Sequence, residues 1–463
     1  MEHLAFQVPR FAPQPNAPSS ERGALYLSGS FLLHCRVPMP PHALAPSLHP
    51  QARRVWCLFD FANSAFPTVV LSAFGGPYFA RVLIGREGLR LGGWRLEGTA
   101  AWGLALALSM LLVTLSASWT GKLADRGPYR RLLLALYVVL CVGATAGLAF
   151  LQPGAAMSAF VLLVLANFAF EGAYVVYNAF LVDLAPAEEW GRLSGRGWAF
   201  GYVGGLLALV LAFPLAPKDY DASTGRWLFL IVALWYLVFA LPAFFVLPER
   251  NAASAAPAES LWTSLRRALA RREILLFLAA YFLYNDAVVT VIQFTGVFTK
   301  EVLAFTPRDN ILLFIVLNVV AIPGSLAFGR WLDRFGGART IVWTLALWVV
   351  VCIAAALTPN KAWFWGVALL AAWVIGATQA SSRALMAQLA PEGRSGEYMG
   401  LLAISGKASS VLGPALYGIL AQALADPLHP DRGHRVSIAS ISLFFVVSMF
   451  LMRALSKGEG RAA

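Results

Sequence analysis

Six ionisable residues lie inside long apolar stretches of this 463-residue chain: Asp60, Glu171, Asp183, Asp286, Arg383 and Lys407. A charge at bilayer depth costs roughly 2.5–3.5 kcal/mol on insertion scales, so such a group normally faces a cavity or a partner of opposite sign. Polar neighbours recur at helical spacing. Asp60, Asn63 and Ser64 stand at i, i+3 and i+4, and Glu171, Tyr174 and Asn178 at i, i+3 and i+7, so each trio shares one helix face. Asp286 follows Asn285 and precedes Gln293 by about two turns. Gln379 and Arg383 are one turn apart. Carboxylates so placed can hold an ammonium group or carry a proton, and a guanidinium can grip a carboxylate through two parallel hydrogen bonds. The same charges would also serve as internal salt bridges, with Arg383 or Lys407 neutralising Asp60 or Glu171. Asp183, near a helix end, is read as structural. The expected solute or proton site is therefore Asp60, Asn63, Ser64, Glu171, Tyr174, Asn178, Asp286, Gln379, Arg383 and Lys407.

The elements that must position these groups are membrane helices. Hydrophobic residues make up 59% of the chain and charged residues 13%. Apolar runs of about 20 residues, enough to cross a bilayer core as helices, recur throughout. Twelve spans are expected, at about 53–80, 98–118, 131–151, 156–184, 195–216, 227–247, 273–300, 310–329, 339–358, 362–389, 396–424 and 434–455. Five of the six buried charges fall on the first, fourth, seventh and tenth, and Lys407 falls on the eleventh. The net charge of +12 is explained by topology rather than by nucleic acid. With a cytoplasmic N-terminus, basic residues such as Arg130, Arg131, Arg266, Arg267, Arg271, Arg272, Arg330, Arg334 and Arg339 concentrate on the inner side, which is the bias that orients membrane proteins. The expected setting is a bacterial inner membrane, with both termini cytoplasmic and the chain a monomer.

Two loops carry one short word. Gly121-Lys122-Leu123-Ala124-Asp125-Arg126 joins two apolar runs, and Gly329-Arg330-Trp331-Leu332-Asp333-Arg334 joins two more. Other echoes keep the same order: Leu184-Ala185-Pro186 ends the fourth span and Leu389-Ala390-Pro391 the tenth. The chain therefore reads as a duplication. A disordered extension is expected at 1–50, where Met39 offers a second start and no cleaved signal is implied. Six-helix halves are expected at 51–247 and 273–456, a cytoplasmic linker with an amphipathic helix at 248–272, and a tail at 457–463.

Two such halves joined by this loop resemble the major facilitator superfamily. The resemblance implies an all-α integral membrane fold, twelve transmembrane helices in two pseudo-symmetric six-helix halves, with helices 1, 4, 7 and 10 around a central cavity about which the halves rock. Gly121, Asp125, Arg126, Gly329, Asp333 and Arg334 are then conformational residues: the Gly permits close approach, the Asp accepts from a neighbouring helix N-terminus, and the Arg pairs with a carboxylate. Gly336 fits the superfamily spacing in the second copy, whereas Pro128 stands in its place in the first.

A closer resemblance follows from Trp56-Cys57-Leu58-Phe59-Asp60-Phe61-Ala62-Asn63-Ser64-Ala65-Phe66, with Tyr177-Asn178-Ala179-Phe180-Leu181, Gly201-Tyr202-Val203-Gly204-Gly205, Tyr281-Phe282-Leu283-Tyr284-Asn285-Asp286, Gln379-Ala380-Ser381-Ser382-Arg383 and Gly413-Pro414 in order behind it. This series resembles the autophagy-related vacuolar effluxer family. The resemblance implies a secondary transporter, and its fungal branch is associated with amino-acid export from the vacuole. Phe59 and Phe61 replace the family's Tyr and Trp, and Ala287 replaces a Gly. Gly197, Gly201 and Gly205 form a stripe suited to close helix packing, with Tyr202 where the superfamily's antiporter motif has Pro.

Several chemistries are disfavoured. No nucleotide-binding loop, catalytic triad or metal-spaced cluster appears, and the six histidines are placed outside the spans. The four cysteines show no paired spacing. No cofactor, metal or enzyme activity is expected. The leading expectation is secondary active transport of a small polar solute, with amino-acid efflux as one form, by alternating access and coupled to protons. A drug or amphipathic-compound exporter of the same fold, and a non-transporting membrane receptor or assembly partner, are the alternatives.

Overall fold

The structure is a computed structural model that describes residues 50–125, 128–212, 222–249, 261–305, 307–409, 412–424 and 431–462. The extension expected at 1–50, apart from Pro50, lies outside the described residues, as do Arg126, Gly127 and positions 250–260 of the linker. The long helices are α1 (Pro50–Asn63), α2 (Gly98–Asp125), α3 (Arg130–Phe150), α4 (Ala156–Ala179), α5 (Trp190–Ala212) and α6 (Ala222–Ala240). They continue as α7 (Arg272–Leu303), α8 (Pro307–Phe335), α9 (Gly337–Ala356), α10 (Lys361–Leu389), α11 (Ser395–Ser409, followed by Leu412–Ala423) and α12 (Arg432–Ala462). Among the described residues eleven spans are long and apolar enough to cross a bilayer, and Ala101–Ala117 with Trp119–Asp125, bent by 44°, makes a twelfth if taken as one span. Exposed apolar side chains such as Leu115, Phe150, Phe245 and Phe450 suit a lipid-facing surface.

Local chemistry departs from regular helix in three places. After Asn63 the first span continues as a π-helix over Phe66–Ala73. Here the Ser64 hydroxyl donates to the Asp60 carbonyl at 2.7 Å, and Pro67 brings no N–H to the ladder. A short helix at Gly75–Tyr78 and a second π-helix at Phe79–Ile84 extend this segment. The loop behind it contains an antiparallel hairpin, β1 (Leu89–Leu91) with β2 (Trp94–Leu96). Its two-residue turn is Gly92-Gly93, with φ of 53° and 91°, which side chains would strain. One correction concerns histidine: His434 lies in the first turn of α12, within the last span, where its ring meets the Tyr417 hydroxyl. Cys57, Cys141 and Cys352 are buried free thiols.

Packing follows the duplication. α1 packs on α5 and α6, α4 on α2 and α3, α7 on α11 and α12, and α10 on α8 and α9. Between halves, α5 meets α8 and α10, while α11 meets α2 and α4. A Leu261–Ala270 helix precedes α7 and contacts it. The glycine stripe of α5 lies against α1: a Cβ on Gly197 would stand 2.5 Å from Asp60 Oδ2, and one on Gly205 2.7 Å from Thr68 Oγ1. Gly204, on the same helix, abuts the Phe61 carbonyl. Because that neighbour is backbone, Gly204→Val should cost about 1–3 kcal/mol through overpacking. The measurement is the melting temperature of the detergent-solubilised protein, and an unchanged value would show that α1 and α5 are not held at this distance.

Candidate functional site: charge pairs and clamps between the halves

Arg383 of α10 reaches out of its own half into the other. Its Nη1 donates to Asp60 Oδ2 at 3.1 Å and to Asn178 Oδ1 at 3.2 Å. Nε donates to Ser194 Oγ at 2.9 Å and Nη2 to the Ser194 carbonyl at 2.7 Å. The guanidinium also lies over the rings of Trp56, Tyr177 and Trp198. Both side chains of the Asp60–Arg383 pair are almost fully buried. Three helices of the first half thus satisfy one cation of the second, meeting the requirement that a buried charge be paired and hydrogen-bonded. Ser194 ties the same place again by donating to the Ala380 carbonyl at 2.8 Å.

A second pair crosses nearby. Lys407 Nζ of α11 lies 2.6 Å from Glu171 Oε1 of α4. Its setting differs, because the Lys407 side chain is 30% exposed against 4% for Arg383. Both acids belong to the first half and both bases to the second. Around them, Tyr174 stacks between Phe170 and Tyr177, and Gln379 is half-buried; neither makes a side-chain hydrogen bond among the described residues. Asn63 is buried with its amide nitrogen unpartnered. Asp286 stands apart from both pairs and bonds to α11, as described below.

Both short-word loops grip the opposite half. Asp125, ending α2, accepts from the N–H groups of Gly396 at 3.0 Å and Glu397 at 2.9 Å at the start of α11. Asp333, near the end of α8, accepts from those of Gly191 at 2.7 Å and Arg192 at 2.9 Å at the start of α5. A carboxylate at a helix N-terminus answers orphan N–H groups and the positive end of the dipole. Each approach requires a glycine pair: Gly121 against Gly396, and Gly329 against Gly191, where a Cβ on either would strike the other's carbonyl. Gly336, with φ of 88°, starts α9 in the second copy. Arg334 is exposed over the Phe335 ring, and Arg126 lies outside the described residues.

The two clamps differ behind their aspartates. Fully buried Arg130 donates from Nη2 to Asp125 at 3.0 Å, from Nη1 to Asp183 and the Ala179 carbonyl, and from Nε to the Ala124 carbonyl. Glu249 completes the corner by accepting from the N–H groups of Arg130 and Arg131 and from Arg131 Nε at 3.0 Å. In the second half the matching places hold Ala338, five positions after Asp333 as Arg130 is after Asp125, and Gln388, which precedes Leu-Ala-Pro as Asp183 does. Arg130, Glu249, Ser194 and Glu397 were not singled out from sequence. Arg130 opens α3 and Glu249 follows a helix end, both at the loop face where a charge reads as a topology signal; the echo around Leu-Ala-Pro was the available pointer to Asp183 and its partner.

The arrangement has known counterparts. A family model described as vacuole effluxer Atg22 like matches residues 50–463. The chain belongs to that family. The MFS-type transporter YxiO of Bacillus subtilis is 27% identical over 411 residues, covering 86% of this chain and 93% of that protein. Autophagy-related protein 22 of Kluyveromyces lactis is 24% identical over 302 residues, 58% of this chain and 59% of that protein. Among solved structures, the human organic anion transporter MFSD10 superposes with a TM-score of 0.65 at 18% identity, covering 88% of this chain and all of that one. The outward-facing bacterial homologue of the iron transporter ferroportin gives 0.66 at 16% identity, covering 88% and 98%. This Atg22-like protein therefore has the major facilitator fold and is an integral, multi-pass membrane transporter.

The clamps predict a conformational effect. Replacing Asp125 and Asp333 by Ala removes two helix caps worth about 1 kcal/mol each, which should shift the closed-to-open ratio at the loop-motif face by roughly tenfold or more. Spin labels placed across α2 and α11 at that face should show a larger long-distance population by pulsed electron resonance. An unchanged distance distribution would mean that the clamps do not hold this state.

Proposed function

We propose that this Atg22-like transporter exports a small zwitterionic solute, an amino acid in the simplest case, by alternating access driven by a proton gradient. The observation that carries this reading is the Glu171–Lys407 pair: opposite charges from opposite halves, in contact at 2.6 Å, with the lysine partly open. An α-amino acid carries both charges on one small frame. Its ammonium can take Glu171 and its carboxylate Lys407, so each buried charge exchanges one partner for another and neither is left alone. Tyr174, Asn178 and Gln379 are the neighbouring polar groups for orientation. Asp60 and Arg383, paired and almost fully buried, act as the lock beneath the site.

The loop-motif face is taken as cytoplasmic, with both termini inside, on the distribution of arginine and lysine, and a bacterial inner (plasma) membrane is the setting in keeping with the Bacillus subtilis relative. In that orientation this conformation is closed towards the cytoplasm. Export follows the family's description as effluxers. The working unit is a single chain, since the two halves supply both sides of the site.

Proteoliposomes loaded with a radiolabelled mixture of amino acids test this reading, with exchange measured against unlabelled solute. Glu171→Gln and Lys407→Met should each lower exchange by about tenfold or more, roughly 1.4 kcal/mol of lost binding. Arg383→Lys should abolish it while leaving the protein folded, because an ammonium cannot reproduce the guanidinium's fan of contacts. Absence of exchange by the unaltered protein, or full exchange by both site variants, would overturn the proposal.

A further inference from the structure

Asp286 belongs to neither cross-half pair, and its surroundings are those of an ion site. It lies on α7 and is completely buried. One oxygen, Oδ2, accepts from the Gly413 N–H of α11 at 2.6 Å. The other, Oδ1, is buried without a hydrogen-bond partner. The sequence of α11 explains the first contact. Pro414 has no N–H and its ring crowds the turn before it, so the preceding N–H can serve a side chain of a neighbouring helix. Glycine is needed there, because a Cβ at 413 would press on Thr290 and stand 3.2 Å from Asp286 Oδ2. The Thr290 hydroxyl is committed to the Asp286 backbone carbonyl at 2.7 Å.

Among the described residues no cation pairs with the carboxyl group. The charged or ionisable groups on helices packed against α7 are Lys361 and Arg383 on α10, Glu397, Tyr398, Lys407 and Tyr417 on α11, and Arg432, His434, Arg435, Arg453, Lys457, Glu459 and Arg461 on α12. Among the described residues none of them pairs with Asp286. Arg383 is engaged by Asp60, Lys407 by Glu171, Lys361 by Asp309, Arg435 by Asp431 and His434 by Tyr417. On α7 itself, Asn285 donates to the Gly406 carbonyl of α11, while Arg272 and Glu273 lie in the first turn and Lys300 and Glu301 in the last. The Leu261–Ala270 helix meets α7 with Arg266 and Arg267 exposed.

We propose that Asp286 is the binding site of the coupling proton and that α11 transmits its occupancy to the contacts between the halves; this deepens, and rests on, the transport reading above. A buried carboxylate with one oxygen unanswered is neutralised by a single small cation. A proton needs only that oxygen. A metal cation needs a shell of several oxygens, and no group of three or more acidic, His or Cys side chains that could hold one occurs among the described residues. The consequence travels along α11. Gly413 is held by Asp286, Lys407 by Glu171, and the Gly396 and Glu397 N–H groups by Asp125. From Glu397 to Lys407 the helix is continuous, about 15 Å at 1.5 Å per residue. Removing the proton turns the bond to Gly413 into a charge-assisted one and leaves an unpaired charge. Proton occupancy, the position of α11 and the cross-half contacts are therefore thermodynamically linked.

The test compares the unaltered protein with Asp286→Asn, whose amide keeps the shape and can still accept from Gly413. In proteoliposomes with the amino-acid mixture, an imposed pH gradient should drive accumulation by the unaltered protein. The variant should lose that drive, with its exchange of labelled for unlabelled solute reduced far less. A second readout needs no solute. The infrared difference spectrum between acidic and alkaline buffer should show a protonated-carboxyl band that disappears in the variant. Accumulation by Asp286→Asn that still follows the pH gradient, accumulation driven by a Na+ gradient instead, or a difference spectrum unchanged by the substitution would each overturn the proposal. Failure of the unaltered protein to exchange any amino acid would sink the transport reading and leave the infrared arm to judge Asp286.

Discussion

The structure turns on one desolvated cation. With Lys407, Arg383 is a residue through which the second half holds the first at membrane depth, and its guanidinium is almost fully buried. Asp60, Asn178 and Ser194 supply its hydrogen bonds, and three aromatic rings surround it. Those groups come from α1, α4 and α5. Parting the halves strips all of them from Arg383 together, so the closed state gives way only when water or another partner enters as the contacts leave. The glycine stripe of α5 serves the same centre, since at Gly197 a Cβ would occupy the space of Asp60 Oδ2 and stand 2.8 Å from Arg383 Nη2.

The two clamps at the loop-motif face share a plan but differ in how firmly they are held. Each sets an aspartate on the N-terminus of a helix from the opposite half, across a glycine–glycine contact. In the first half the aspartate is itself fixed by Arg130, which Asp183 and Glu249 fix in turn. In the second half Ala338 and Gln388 occupy those places, and among the described residues Arg192, from across the interface, is the cation paired with Asp333. Removal of one charge therefore propagates differently. On the first side, loss of Asp125 leaves a fully buried Arg130 with Asp183 as its remaining acid partner. On the second it leaves a half-exposed Arg192 that solvent can screen.

Much of this was legible in the chain, and the limits have physical causes. The spans are visible because a bilayer core demands long apolar runs. The buried charges are visible because their cost makes each one conspicuous. Their partners are not, because nothing local distinguishes Asp60 meeting Arg383 from Asp60 meeting Lys407; the choice is made by helix rotation and depth across a separation of hundreds of residues. The π-helical continuation of α1 arises from Ser64 and Pro67, residues that an ordinary membrane helix also tolerates. The Gly92-Gly93 hairpin turn carried a recognisable signal within a stretch read only as a loop. Arg130 was hidden because it sits beside the basic residues that orient the protein, and counting charge by side does not reveal which of them is buried.

The distribution of sign is the remaining constraint. Among the two pairs that bridge the halves at membrane depth, both carboxylates lie on the first half and both bases on the second. The pairs hold the halves together, yet opening them leaves one half locally negative and the other locally positive. A neutral or singly charged solute would satisfy one wall and leave the other bare. A zwitterion satisfies both with one molecule, and its two ends must be oriented in one sense only. The buried pair resists opening and the partly exposed pair can exchange partners, so on the proposed reading exposure sets the order of events: solute would reach Glu171 and Lys407 first, and the Arg383 lock would follow. Asp286 sits outside this exchange, on the helix that carries Lys407, where its own neutralisation does not compete with the solute for either wall.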